Sequence, residues 1–319
     1  MESITKTIIS QKNIEKIITK AFKNSVSILN IAELIDGYFN SSYKITLNNN
    51  LKIVLKIAPK SNINVLTYEK NIMRNEVIVN SLLSKNNPFI PEILYYDNSL
   101  KLIECEYFIM NYIEGIPLNK LKKTLNSKNL KSIYSQLGHY TKKINSIENN
   151  FFGDISNKEK QYNNWFECFY SMINDLFSDA NKIQLTLFIS KYEALEKIIK
   201  YKNELKKVKK ASLVHKDLWD GNIFINPNTF EIEGIIDTER ALYADYLLEI
   251  ACGHLDNNKE FLSSYLDKSN LTKSELKRIN LYKFYLYLIM VIECPYRNYK
   301  TNDQYNWALQ SLKAVYSIL

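Results

Sequence analysis

Val214-His215-Lys216-Asp217-Leu218-Trp219-Asp220-Gly221-Asn222 spaces a histidine, an aspartate and an asparagine as H-x-D-x-x-x-x-N, and Asp237 follows at the end of the apolar run Ile235-Ile236. Transfer of a phosphoryl group from a nucleotide calls for this set: one carboxylate near the accepting hydroxyl, and an amide plus a second carboxylate on Mg²⁺. Asp217 is the candidate base. In a loose transition state the nucleophile needs little early deprotonation, so this carboxylate mainly orients the hydroxyl and takes its proton late. Asn222 and Asp237 offer the hard oxygen ligands that Mg²⁺ prefers. Taken singly, Asp217 would read as a turn-capping aspartate and Asp237 as a helix N-cap before Thr238-Glu239-Arg240. Their joint spacing favours chemistry. His215 is expected to brace the loop rather than carry a proton. His139 and His254 have no partner spacing, and no zinc site is indicated.

A phosphate-handling lysine is the next requirement. Lys56 lies in Ile53-Val54-Leu55-Lys56-Ile57, a strand so apolar that its ammonium must end in a polar cleft or snorkel outward. In a kinase such a lysine meets the α- and β-phosphates and is held by a helix carboxylate. Glu76, on the helical pattern that runs through Val79, Leu82 and Leu83, is the expected partner, with Glu69 the alternative. A G-x-G-x-x-G loop is absent. Gly37-Tyr38-Phe39-Asn40-Ser41-Ser42-Tyr43 holds a single glycine, but Asn40 tolerates left-handed backbone, and Ser41 and Ser42 offer hydroxyls that with backbone N–H groups cradle phosphate oxygens.

The elements that would position these groups follow from periodicity. Residues 12–24 carry Ile14, Ile17, Ile18 and Phe22 at helical spacing. Strand signals cover 26–32, 43–47 and 51–57, and Asn48-Asn49-Asn50 suits a hairpin turn. Residues 65–85 are helical in pattern and end before Pro88 and Pro91; 93–96 and 102–112 read as strands, and Glu114-Gly115-Ile116-Pro117 as a hinge-like turn. From residue 118 onward the pattern is mostly helical, except for a β-rich insert at 212–236 that holds the opening motif. The expected organisation is α+β: a strand-rich N-terminal lobe at 1–113 and a mostly helical C-terminal lobe at 114–319.

Composition narrows the class. The apolar fraction of 46% supports a sizeable core, and the 42 basic residues are dispersed among 34 acidic ones, so the net charge of +8 forms no stripe for nucleic acid. The dense run at 200–210 reads as a solvated helix end. Cys105, Cys168, Cys252 and Cys294 follow no C-x-x-C pattern, which suggests free thiols in a reducing compartment. No signal peptide opens the chain, and the apolar run at 284–292 is too short to span a bilayer. The expectation is a cytoplasmic protein without membrane or nucleic-acid partners; monomer and dimer stay open.

On these residues the chain resembles the aminoglycoside phosphotransferase and choline kinase-like family of small-molecule kinases, over most of its length. His215 to Asn222 matches that family's catalytic loop, Gly234 to Asp237 its metal-binding strand, Lys56 with Glu76 its nucleotide-anchoring pair, and Phe108 to Gly115 its strand and interlobe hinge. The loop at 37–43, Trp219-Asp220-Gly221-Asn222 and Glu239-Arg240-Ala241-Leu242 look closest to a little-characterised bacterial branch of phosphotransferases. The resemblance implies a bilobal protein-kinase-like fold with ATP or GTP and Mg²⁺ between the lobes. The base would bond hinge backbone at Asn111, Tyr112 and Ile113, and pack against Val54, Phe224 and Ile236. Lys216 departs from the pattern, since glycine is usual there. Asp245 also departs, being followed by Tyr246 rather than proline and lacking a glycine before it.

The acceptor is expected to be a small molecule with a hydroxyl, held against the helical lobe: an aminoglycoside or other antibiotic, a sugar, or an amino alcohol. A polycation would need a carboxylate-lined pocket, for which Asp175, Glu239, Asp245, Glu249, Asp256 and Glu293 are candidates. The aromatic segment at 162–170 could line a sugar or cation site, although helix core packing is the plainer reading. Two other classes stay open. A protein kinase is disfavoured by the absence of an Ala-Pro-Glu-type segment after Asp237. A catalytically silent nucleotide-binding module would not need a base at 217.

Overall fold

Helix Gln11–Phe22 (α1) places Ile14, Ile17 and Ile18 on one buried face, and Ser10 caps it by accepting the Asn13 N–H. That face lies on an antiparallel sheet of Ile28–Leu34 (β1), Ser41–Leu47 (β2), Lys52–Ile57 (β3), Ile93–Asp97 (β4) and Tyr107–Asn111 (β5), in the order β1-β2-β3-β5-β4. β2 alternates buried and half-exposed side chains, as a strand with one face on a core should. β3 is central, so Lys56 is buried with its neighbours, in register with Ser42 on one side and Phe108 on the other. Asn50, at φ 64°, closes the β2–β3 hairpin. The structure, a computed structural model, describes residues 3–37, 39–268 and 270–319.

Several expected elements are divided or shortened. The helix expected at 65–85 is a single 3₁₀ turn, Thr67–Glu69, followed by Ile72–Leu83 (α2). Asn71 between them stands in the left-handed region at φ 62°, which an α-helix cannot propagate through. The strand expected at 102–112 begins only at Tyr107, because residues 101–105 bend without a ladder partner. Of the expected hinge turn, Ile116–Pro117 (β6) pairs with Phe224 and Ile225, and ties that link to the catalytic region.

The C-terminal part also holds more sheet than expected. Glu148–Asn149 (β7), Phe152–Asp154 (β8), Gln161–Tyr162 (β9), Ala211–Val214 (β10) and Leu242–Ala244 (β13) form a second sheet in the order β7-β10-β13-β8-β9, while Ile223–Ile225 (β11) and Ile232–Ile235 (β12) join β6 in a third. Helices Leu118–Leu121 (α3), Ser127–Asn145 (α4), Trp165–Lys182 (α5), Lys191–Lys200 (α6), Lys202–Leu205 (α7), Leu247–Cys252 (α8), Lys259–Leu266 (α9), Lys273–Arg297 (α10) and Asp303–Ile318 (α11) make up the rest. A Cβ at Gly138 would meet the Phe261 carbonyl at 2.7 Å, so glycine sets the close approach of α4 to α9. Trp165 and Phe169 are wholly buried, and the Trp165 indole donates to Tyr282 Oη at 2.7 Å, which makes that part of the aromatic segment core. The apolar run at 284–292 lies inside buried α10. Among the described residues no helix is long and apolar enough to cross a membrane.

The fold is therefore α+β and bilobal, with a strand-rich N-terminal lobe and a mainly helical C-terminal one. The large C-terminal core also takes in Leu66, Val79, Leu83, Phe89 and Ile90, so the segment around α2 packs with the second lobe. Asn75 donates to the carbonyls of Glu239 and Ala241, and Thr67 bonds Asp179 through N–H and hydroxyl. Arg297, fully buried, pairs with Glu69 and Glu293 and stacks over Phe39. Removing one member of a buried ion network leaves charge unpaired, at a cost of roughly 3–5 kcal/mol. Arg297→Met is therefore expected to lower the unfolding free energy by about that much. Urea denaturation checks this, and a loss under about 1 kcal/mol would contradict it.

Candidate functional site

β10 delivers His215 from the second sheet, and the loop after it is held from below by Glu249 of α8. The buried Glu249 carboxylate accepts the backbone N–H groups of His215 (2.7 Å) and Lys216 (3.0 Å). Lys216 adopts φ 66°, which reverses the chain toward Asp217. The Asp217 N–H donates to His215 Nδ1 at 3.3 Å, so the ring carries its proton on Nε2, which donates to the Ile236 carbonyl at 2.9 Å. His215 thus ties the loop to the strand end before Asp237. Asn222 donates its amide N–H to the Asp217 carbonyl (2.9 Å) and to Asp217 Oδ2 (3.3 Å). The Ile236 N–H returns to the Asn222 carbonyl at 3.0 Å, which brings residues 222 and 237 side by side.

Asp237 follows β12 at φ 69°, a conformation aspartate tolerates better than most residues. Lys56 Nζ lies 2.6 Å from Asp237, 2.6 Å from Glu76 and 3.2 Å from Glu239. Of the two carboxylates weighed for Lys56, Glu76 is the one in contact, while Glu69 pairs with Arg297 and accepts the Leu66 N–H. Lys56 thus contacts Asp237, Asn222 contacts Asp217, and the Ile236 N–H bond to the Asn222 carbonyl holds these two pairs on adjoining backbone.

Three carboxylates share one ammonium here, and the electrostatics follow. Burial pushes Glu239 up to about 8, with Asp237 adding to the rise, and pushes Glu76 up to about 7. Burial works against ionised Asp237 too, but Lys56 outweighs it and holds that carboxyl below its usual range. Burial likewise opposes the charge on Lys56, yet Asp237, Glu239 and Glu76 hold it well above the ordinary lysine range. Asp217 is pushed up to about 6, first by burial and then by Asp237, with Arg240 pulling the other way. Oxygens of Glu76, Asp237 and Glu239 all lie within 4.8 Å of one another, and Glu76 Oε1 is buried without a hydrogen-bond partner. Asp237, the carboxylate of this group that is held ionised, and the nearby Asn222 offer hard oxygen donors with no thiol or imidazole beside them, and these fit a small divalent cation.

The other residues singled out for the nucleotide are placed as follows. Ser41 and Asn40 are buried, and the Asn40 amide donates to Glu239 at 2.7 Å; Ser42, opposite Lys56, is half-buried. Tyr38 of the same loop lies outside the described residues. Val54 packs with Met73, Phe108 and Met110. Phe224 and Ile236 are half-buried, Phe224 on the face of β11 opposite the buried Ile223 and Ile225. At the end of β5 the Asn111 N–H bonds Glu92 and the Tyr112 N–H bonds Lys52, while the Ile113 side chain covers Gly234.

Most of the candidate acceptor acids are structural. Asp245 is buried against Arg278 and Tyr282, Asp256 pairs with Lys283, and Glu293 with Arg240 and Arg297. Glu249 supports the loop instead of lining a pocket. Glu239 does line a cavity but faces Lys56, and Asp175 is paired with Lys160 at 2.6 Å. Sequence reasoning missed the loop-bearing role of Glu249 and the membership of Glu239 in the Lys56 cluster. The Asp-x-Glu spacing at 237–239 was the one available signal for the latter.

A two-lobed kinase-like fold with this crevice defines a phosphotransferase class, and the comparisons with known proteins agree. The profile of the phosphotransferase enzyme family, APH, matches residues 30–268. The chain belongs to that family. A protein described as a candidate fructosamine-3-kinase, from Thermobifida fusca, superposes with a TM-score of 0.69 at 14% identity, covering 97% of this chain and 100% of that one. APH(2")-IIa in a ternary complex with streptomycin and ATP gives 0.63 at 19%, covering 97% of each chain. Aminoglycoside phosphotransferase APH(4)-Ia gives 0.63 at 15%, covering 96% and 98%. At these identities the likeness concerns the fold. Among curated proteins, altered inheritance of mitochondria protein 9 of Meyerozyma guilliermondii is 28% identical over 146 residues, which is 44% of this chain and 24% of that protein. Its counterpart in Debaryomyces hansenii is 26% identical over 142 residues, 42% and 22% respectively. The chain spans about a quarter of the length of these curated relatives.

Proposed function

We propose that the protein transfers the γ-phosphate of ATP or GTP to a hydroxyl of a small molecule, with Asp217 as the base. The observation that supports this is the pair of contacts Lys56–Asp237 and Asn222–Asp217, set on adjoining backbone by the Ile236–Asn222 bond, so that an ammonium, two oxygen donors suited to a metal and a raised carboxylate lie near one another. A module that only bound nucleotide would not need the last of these. Residues 1–113 form the nucleotide lobe in this reading, and 114–319 carry the catalytic loop and the acceptor site.

Lys56 grips phosphate oxygens and Glu76 holds it in place. Asn40, Ser41 and Ser42 line the phosphate side, and Val54, Asn111, Tyr112, Ile113, Phe224 and Ile236 surround the base. Asn222 and Asp237 would hold Mg²⁺, which when bound would neutralise charge on the nucleotide phosphates. Asn222 also orients Asp217, whose free oxygen accepts the acceptor's hydroxyl proton. The raised Asp217 remains mostly ionised at neutral pH, while its basicity is greater than that of a free aspartate. Neighbouring structures of this fold hold ATP with streptomycin and GDP with kanamycin, which supports nucleotide use and a small acceptor here.

Lys56→Met is expected to lower kcat/KM for nucleotide by roughly a hundredfold or more, since one preorganised cation at the phosphates is lost. Steady-state kinetics checks it, and a change under about threefold would count against Lys56 as the phosphate anchor. The test of the whole reading is a nucleotide-consumption screen with Mg²⁺ over hydroxyl-bearing antibiotics, sugars and amino alcohols, with Asp217→Asn as the blank. A phosphorylated product formed by the parent alone supports it. Equal consumption by both proteins contradicts it.

A further inference from the structure

A cavity of about 70 Å³ is lined by Tyr68, Lys216, Arg240 and Tyr285, with Asp154, Asp175 and Glu239 also in its wall. Lys216 is only 6% exposed, and its ammonium sits 4.6 Å from the ring centre of Tyr68 and 5.1 Å from that of Tyr285. Among the described residues no carboxylate lies within ion-pair distance of it. The aromatic faces attract the cation but leave its charge uncancelled. Two further polar atoms here are buried with no hydrogen-bond partner, Arg240 Nε and Tyr68 Oη. Both are able to donate.

The nearby carboxylates are already matched. Asp175 pairs with Lys160, Glu239 with Lys56 and Asn40, and Glu293 is shared by Arg240 and Arg297. Asp154 accepts the N–H groups of Ser156 and Asn157. Burial, with the Arg240 charge adding to it, pushes the Lys216 ammonium down to about 8. The backbone points the same way. Lys216 stands at φ 66°, where glycine would escape a cost that a side chain incurs, so the lysine is held in strain beside the reacting centre.

We propose that Tyr68, Lys216 and Arg240 bind an anionic group of the acceptor, a carboxylate or a phosphate monoester, and so select acidic acceptors over polycationic ones. The word acceptor rests on the phosphotransferase reading; the anion site itself does not. A tetrahedral or planar oxyanion receives donors from all three side chains and supplies the counter-charge Lys216 lacks. An amino sugar would bring like charge against Lys216 and Arg240.

Calorimetry on the full chain with four probes of one carbon skeleton tests this: gluconate, glucose 6-phosphate, glucose and glucosamine. One of the two anions is expected to bind at least about tenfold more tightly than glucose or glucosamine, the size of effect a charge-assisted hydrogen bond gives. Which anion wins separates carboxylate from phosphate. Lys216→Met is expected to remove that advantage and Lys216→Arg to keep it, while Tyr68→Phe, which deletes one hydroxyl, weakens it in part. Absence of binding by both anions overturns the proposal, as does glucosamine binding as tightly as either, or Lys216→Met leaving anion binding unchanged. Lys216-dependent anion binding, together with equal nucleotide consumption by the parent and Asp217→Asn across the acceptor screen, would strike the kinase reading and leave the anion site standing.

Discussion

Asp217→Asn is expected to bind nucleotide with the affinity of the parent and to transfer phosphate roughly a thousandfold more slowly. The substitution keeps the shape of the side chain. It also keeps the Asn222 amide on the backbone carbonyl of residue 217, which is the shorter of its two bonds to that residue. What disappears is the negative charge that orients the hydroxyl and receives its proton. Lys56, Asn222 and Asp237, which face the nucleotide in this account, are untouched. Calorimetry with nucleotide and Mg²⁺, together with product formation, checks both halves. Turnover within about tenfold of the parent would remove Asp217 from the role of base. A second signature follows from the environment of the carboxyl. Burial raises it to about 6, and a base works only when ionised, so parent turnover falls as pH drops through that value and is intact above it. The residual activity of the variant should lack this limb.

Asp237→Asn is expected to abolish the Mg²⁺ dependence of nucleotide binding. Asparagine is the informative substitution because residue 237 stands at φ 69°, a conformation that asparagine also tolerates, whereas alanine would add backbone strain to the loss of charge. Lys56 retains Glu76 and Glu239 as partners in the variant, so its position should survive. The parent should bind nucleotide more tightly with Mg²⁺ than with a chelator present, and the variant equally under both. If calorimetry gives the variant unaltered metal-dependent affinity, the ion is held elsewhere.

The candidate residues were legible as a group because the chemistry proposed for them imposes local spacing. Asp217 and Asn222 sit on one short loop, and Asp237 ends the strand that pairs back onto it, so their juxtaposition needs only the β11–β12 hairpin. Lys56 was conspicuous as a charge in an apolar strand, and Glu76 lay at the correct phase of a helix. Glu249 left no such trace, because its bonds to His215 and Lys216 span 34 and 33 residues and depend on how α8 packs. Of the second sheet only β10 fell within the expected insert, because β7 and β9 are two residues long, too short for alternation to register. The interruption of helix 65–85 turned on the single left-handed residue Asn71, a backbone choice that side-chain periodicity does not encode. The acids Asp245, Asp256 and Glu293 were misleading as pocket candidates because composition reports a carboxylate but not the arginine or lysine that folding sets against it.

The central claim is that one Mg²⁺-nucleotide engages residues 56, 222 and 237 together, with residue 217 beside its terminal phosphate. A crystal structure with a non-hydrolysable ATP analogue and Mg²⁺ tests it most directly. Lys56 Nζ is expected on a phosphate oxygen, Asn222 and Asp237 both on the metal, and Asp217 facing the γ-phosphate. A nucleotide seated away from this crevice, or a metal that either Asn222 or Asp237 does not touch, would contradict it.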